Sequence, residues 1–151
     1  MNRFNVRKVA ALGGGVMGAS ALYHLASRGQ RNVILLEKEE TFGTGATGRC
    51  AGGVRYQFST EINVRLSQAS LPMFERFKDE IGQDVNYRQC GYLLVATKEK
   101  DAAAFVRNVE LQNRLGVETQ LLSGDEERAR LPQMRFDDAL SGTFHQKDGL
   151  V

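Results

Sequence analysis

Gly13, Gly15 and Gly18, in the run GGGVMG, stand between a short apolar segment and a stretch with helical spacing, and that placement constrains the fold more than any other feature. Residues 6–12 (VRKVAAL) are long enough for one buried strand and too short for a helix. Residues 16–28 follow with Met17, Ala21, Leu22 and Leu25 on one face, and Gly29 stands where a left-handed residue ends a helix. Residues 32–36 (NVILL) read as a second strand. A right-handed crossover closes such a strand, helix, strand unit into a parallel pair. In that setting Gly13 permits the tight turn, Gly15 lets backbone approach a pyrophosphate, and Gly18 lets the helix pack closely, while free N–H groups at the helix N-terminus face the phosphates. Glu37 closes the second strand nineteen residues after Gly18, near the spacing of about 20 at which an acid accepts hydrogen bonds from a ribose. The same acid repels a 2′-phosphate, which disfavours NADP.

A second glycine-rich run, GTGATGRCAGGVR over residues 43–55, lies within a long loop spanning residues 37–59. A simple nicotinamide site does not require it. Its glycines, with Thr44, Thr47, Arg49 and Arg55, offer backbone donors, hydroxyls and guanidinium groups suited to the phosphates and ring edge of an extended cofactor. Ten of the 16 glycines fall in the first 53 residues.

Downstream, Ile62, Leu66, Ala69, Met73, Phe77 and Ile81 recur at three- and four-residue steps and predict helix over residues 61–81. Pro72 predicts a kink near Ser70, or two helices with the proline in the first turn of the second. Residues 87–96 read as a strand, residues 98–115 as a helix with Ala102, Phe105, Val106 and Val109 inward, and residues 117–122 as another strand. Ser123 and Glu126 form a capping-box pattern opening a short helix that Pro132 stops, and residues 140–145 are again strand. One parallel strand pair cannot make a doubly wound sheet, so a partner or further sequence is expected to complete it, further sequence being simpler.

The bulk properties exclude several function classes. A formal net charge of +2 nominates no nucleic acid, and no apolar run approaches the roughly 20 residues needed to span a bilayer. Cys50 and Cys90 stand apart without CxxC or clustered histidines, so neither a disulfide framework nor a metal site is expected, and a reducing, cytoplasmic location without a signal peptide fits.

The sequence from GGGVMG through ILLEK to GATGRCAGGVR, continued by QFSTEINVRLSQ and CGYLLVATKEK, resembles the FAD-dependent oxidoreductases of the D-amino-acid oxidase superfamily, in particular the glycine oxidase and sarcosine oxidase beta subunit types. The resemblance covers nearly the whole chain. It implies an α/β, Rossmann-like FAD-binding domain assembled from separated segments, with residues 1–85 as the first segment and residues 86–151 beginning an α+β substrate domain. It also implies site residues: Gly13, Gly15, Val16, Met17 and Gly18 at the pyrophosphate, Glu37 and Lys38 at the adenosine ribose, and Ala46, Thr47, Arg49, Ala51, Gly52 and Gly53 along the middle of FAD toward the flavin. Leu22 and Cys50 depart from the residues usual at those positions.

The reaction implied is oxidation of the C–N bond of a small amino acid or N-methyl amino acid (sarcosine, glycine or proline types) by hydride transfer to flavin, with a small amino-acid substrate and room for a separate electron-accepting subunit. The residues leave two alternatives open: an FAD-dependent 2-hydroxy-acid dehydrogenase, and an inactive truncated or split subunit binding only the ADP part of FAD. Arg55 is the candidate for a substrate carboxylate. His24 and His145 read as surface or satisfied structural histidines without a partner at ligand or triad spacing, and Cys50 and Cys90 read as small buried packing residues.

Overall fold

The computed structural model describes residues 8–151, so Val6 and Arg7 of the first expected strand lie outside the described residues. The chain forms two compact units that divide after Ala51. Together they carry the expected α/β content, a Rossmann-like strand, helix, strand unit followed by an antiparallel α+β region.

In the first unit β1 (Val9–Leu12), α1 (Val16–Ser27) and β2 (Val33–Leu36) follow one another, and β1 pairs parallel with β2, Val9 opposite Val33 and Leu12 opposite Leu36. Arg28 caps α1, and Gly29 follows with φ +87°. The expected inward face of α1 needs correction: Met17 and Ala21 are exposed, whereas Gly18, Leu22 and Leu25 are half-buried. Close approach at Gly18 sets the helix rotation and turns Met17 away from the strands. The expected loop over residues 37–59 also contains structure, the single-turn α2 (Ala46–Arg49) and the two-residue β3 (Gly53–Val54), both too short for a periodic signal.

The second unit is built on a three-stranded antiparallel sheet in which β6 (Ser141–His145) lies between β4 (Tyr92–Ala96) and β5 (Gln120–Ser123). β3 pairs antiparallel with β7 (Gly149–Leu150). The strand expected from residue 87 begins only at Tyr92, because Gly91 at φ +80° breaks the extended run after an isolated bridge between Arg88 and Leu150.

Helix α3 (Glu61–Glu75) runs through Pro72 as one element, so the alternative of a second helix opening at the proline does not hold. Leu71, buried beside the proline, holds the register, and the break comes at Arg76 before α4 (Phe77–Ile81), which Gly82 ends at φ +82°. The stripe that α3 buries is Val64, Ser67 and Leu71; Ile62 and Leu66 of the expected stripe are exposed. Val64 and Leu71 pack with Tyr56 and Val117, and Val54, Phe58 and Leu115 lie against this core. On α5 (Glu99–Arg114) Val109 and Gln112 are buried, but Val106 is exposed. Helix α6 (Gly124–Arg130) opens with the expected capping box: the Ser123 hydroxyl accepts from Glu126 N–H at 3.4 Å and Glu126 Oε2 accepts from Ser123 N–H at 2.7 Å.

Candidate functional site

The glycine turn is built by hydrogen bonds that side chains at those positions would obstruct. Gly13 N–H donates to the Leu36 carbonyl at 2.8 Å, so the turn stays in register with β2, and its φ of +97° requires glycine. A Cβ on Gly18 would overlap the Gly13 carbonyl oxygen. Gly15 is the N-cap of α1 and no side chain caps it. The donors at that end are therefore backbone N–H groups, of which Val16 N–H is taken by Thr47 Oγ1 at 3.0 Å.

Gly14, absent from the predicted set, is the buried residue of the turn. Its N–H donates to Glu37 Oε2 at 2.6 Å, its carbonyl accepts from Gly43 N–H at 3.1 Å, and a Cβ there would overlap the Phe42 ring. The sequence did carry a signal, a third glycine between the two that the dinucleotide pattern requires. Its role, fastening the turn to the loop after β2, depends on contacts that spacing does not reveal.

Glu37 organises that loop as well as closing β2. Its Oε1 accepts from Lys38 N–H at 2.8 Å and from Glu39 N–H at 3.1 Å. Hydrogen bonds from Gly14, then Glu39 and Lys38, hold its carboxyl below the ordinary value of 4.5, so it is an ionised acceptor at neutral pH. A carboxylate offers about four acceptor positions. Three are used, which leaves one for a hydroxyl donor from the cleft that Glu37 lines.

That cleft has a volume of about 540 Å³ and lies within the first unit. Gly13, Gly15, Val16, Met17 and Gly18 form one wall, Glu37 and Lys38 another, and Ala46, Thr47 and Arg49 of the second glycine-rich run a third. The structure thus gathers residues from both glycine-rich runs and the acid at the end of β2. Ala51, Gly52 and Gly53 are not among the lining residues. Gly52, at φ +73°, has a local reason to be glycine, since a Cβ there would overlap the Val151 carbonyl oxygen. Gly53 pairs with Leu150 in the β3–β7 ladder and lies beneath the Tyr92 hydroxyl, which a Cβ would approach to 3.1 Å.

In the second unit Arg55 is half-buried, its guanidinium 5.6 Å from the centre of the Phe58 ring and 5.5 Å from that of Tyr92. No carboxylate pairs with it among the described residues. Both cysteines are exposed, contrary to the expected packing role, and Cys50 Sγ lies 3.0 Å from the Thr47 carbonyl at the end of α2. His24 is half-buried on α1, edge-on to Tyr23. His145 is the satisfied structural histidine of the two readings, not the surface one: its Nδ1 is 2.9 Å from Asp148 Oδ1, and both residues are buried. No group of side chains among the described residues could hold a metal ion, and no helix among them is long and apolar enough to cross a membrane.

Comparison with known proteins shows the family of the chain. The family model for FAD dependent oxidoreductases of the DAO type matches residues 8–151. The chain belongs to that family. FAD is its cofactor, and the cleft fits the group: uncapped N–H donors at α1, an ionised acceptor at Glu37, and two glycine-rich runs on its walls. Among relatives of this FAD-dependent chain, mitochondrial dimethylglycine dehydrogenase of Rattus norvegicus is 32% identical over 141 residues, covering 93% of this chain and 16% of that protein. The 4-methylaminobutanoate oxidase (formaldehyde-forming) of Paenarthrobacter nicotinovorans is 27% identical over 144 residues, covering 95% of this chain and 17% of that protein. Of solved structures, L-proline dehydrogenase from P. horikoshii superposes with a TM-score of 0.84 at 31% identity, over 95% of this chain and 37% of that one. Glycine oxidase from Geobacillus kaustophilus gives 0.78 at 28% identity, over 95% and 40%. The chain therefore spans less than half the length of each of these relatives.

Proposed function

We propose that this chain supplies the ADP-binding part of an FAD-dependent oxidoreductase that oxidises the C–N bond of a small amino acid or N-methyl amino acid. The observation that carries the cofactor assignment is the cleft in which the α1 N-terminus, Glu37 and Thr47 converge. The N–H groups of α1 and the backbone at Gly13 and Gly15 would hold the pyrophosphate, with Met17 and Gly18 on the same wall and Arg49 adding positive charge. The remaining acceptor position of Glu37 would take a ribose hydroxyl, with Lys38 beside it. Ala46 and Thr47 would line the middle of the cofactor, and Ala51, Gly52 and Gly53 would approach the flavin. Thr47 Oγ1 would exchange its Val16 N–H bond for a phosphate oxygen. Bound FAD supplies acceptance of a hydride from the carbon next to nitrogen.

The substrate class is supported by the relatives, whose names are those of enzymes acting on dimethylglycine, 4-methylaminobutanoate, proline and glycine. These compounds all carry a carboxylate. Arg55, with its guanidinium beside two rings and free of an internal acid, would pair with that group. On this reading residues 1–85 belong to the FAD-binding domain and residues 86–151 to the substrate domain. Electrons pass onward to oxygen or a partner subunit, and two exposed free thiols fit a reducing cytoplasm.

Two measurements test the proposal. Glu37→Arg removes the acceptor for Gly14, Lys38 and Glu39 N–H groups as well as the ribose acceptor, and flavin content of the purified protein should fall at least tenfold; unchanged content would sink the cofactor geometry. Anaerobic addition of sarcosine, proline, glycine or a 2-hydroxy acid to the flavin-containing protein should bleach the flavin with an amine, whereas bleaching by the hydroxy acid alone overturns C–N oxidation.

A further inference from the structure

Immediately after Arg55 the chain is fastened by a buried polar network that the proposed chemistry does not use directly. Asp148 is fully buried, and no lysine or arginine pairs with it. Its Oδ1 accepts from Tyr56 N–H at 2.8 Å and lies 2.9 Å from His145 Nδ1; its Oδ2 accepts from Gln57 Nε2 at 2.9 Å. The same Gln57 amide donates to the Tyr92 carbonyl at 2.9 Å, and Gln57 Oε1 accepts from the Thr143 hydroxyl at 2.6 Å. Tyr56 and His145 meet edge to face with ring centres 5.0 Å apart.

Burying a polar cluster of this kind costs free energy that an apolar cluster would avoid. What such a network adds is direction, because each bond fixes an atom rather than a surface. The direction here has an object. On the N-terminal side of Arg55 the β3–β7 ladder holds the backbone, and on the other side Tyr56 and Gln57 fix it through this network. Tyr92 is held by its carbonyl through Gln57 while its ring lies beside the Arg55 guanidinium and its hydroxyl over Gly53. The network therefore sets both the backbone that carries Arg55 and one of the rings beside it.

We propose that Asp148 and His145, acting through Tyr56, Gln57 and Tyr92, are positioning residues that hold the Arg55 guanidinium where it receives a substrate carboxylate. This rests on the reading of Arg55 given above. In Asp148→Asn the new amide faces the Gln57 amide donor to donor, and the clamp opens with little change of volume. Pairing it with Gln57→Glu returns an acceptor to that position and to Thr143 but gives up the donor to the Tyr92 carbonyl, so it restores the hold on Tyr56 and not that on Tyr92.

The test is titration of the flavin-containing protein with acetate, followed by flavin absorbance, with acetamide as the neutral control. Wild type should bind acetate and not acetamide, and Arg55→Gln should lose acetate binding. Asp148→Asn and His145→Ala should weaken acetate binding about tenfold at unchanged flavin content, and Asp148→Asn/Gln57→Glu should recover part of the loss, which a general loss of stability does not produce. If Asp148→Asn fails to fold, Thr143→Val, which removes one donor from the same network, should still weaken acetate binding severalfold. Acetate affinity unchanged in Arg55→Gln removes the reading of Arg55 and this inference with it. Affinity lost in Arg55→Gln but equal to wild type in the folded Asp148→Asn or Thr143→Val variant overturns the inference and leaves Arg55 in place.

Discussion

The two units of this chain are held together by different forces. Among the described residues up to Ala51 only Gly14 is buried, and α1 buries no residue at all. Order there comes from the parallel ladder, from hydrogen bonds converging on Gly14 and Glu37, and from close backbone approach at Gly18. One face of the strand pair, Ala10, Leu12, Ile34 and Leu36, is exposed, as are Met17 and Phe42. The second unit instead buries Val64, Leu71, Val117, Leu122 and Phe136, together with the Asp148 network. Among the described residues, then, the cleft is built from glycines and backbone donors, whereas Arg55 and the Asp148 network are carried by side chains set in a packed frame.

Substitutions in the second core should break the molecule hardest. Leu71→Ala, at a site 4% exposed, should lower unfolding free energy by about 2–5 kcal/mol, measured by denaturant titration. Gly18→Val should follow, at roughly 1–3 kcal/mol, because the new side chain meets the Gly13 backbone, which cannot rotate away. Its loss of hydrogen-exchange protection should be confined to β1, α1 and β2, with flavin retention lost as well. Protection lost equally in β4–β6 would show that the units do not differ as described.

A smaller effect tests the second unit's treatment of charge. Glu127 is fully buried, neither carboxylate oxygen has a hydrogen-bond partner, and desolvation raises its carboxyl above the ordinary 4.5. Where it is protonated in both states its titration adds no penalty, and the penalty for its charge grows as pH rises from that value through the raised folded one. Glu127→Gln should therefore stabilise the protein at pH 7 by on the order of 1 kcal/mol and not at about pH 4; an equal gain at both would refute the ionisation argument. The smallest change expected is at Leu12, 81% exposed, where Leu12→Ser should alter stability by under about 0.5 kcal/mol.

Much of the first unit was legible because its determinants are local. Glycine spacing, the strand of residues 32–36, Gly29 and Glu37 each act within a few residues of their own position. Ser123 and Glu126 were legible for the same reason, a cap being a three-residue device. Gly14 was missed because its importance lies in Phe42 and Glu37, more than twenty residues away. The stripe of α3 was misjudged for a related reason: Ile62 and Leu66 have the right period, but Val64 and Leu71 meet Tyr56 and Val117. The exposure of Met17 and Val106, and the passage of α3 through Pro72, are decisions of the same kind.

The sequence by itself determined the parallel pair, the glycine turn, the acid at its end and hence the class of cofactor, because those features depend on backbone conformation and short spacing. Only the tertiary structure decided which helical faces are buried, that Gly14 fastens the turn, and that His145 and Asp148 join Tyr56 and Gln57 across about ninety residues. Such contacts are chosen by the packing free energy of the whole chain, and no local pattern records which of several apolar or polar partners gives the lower one.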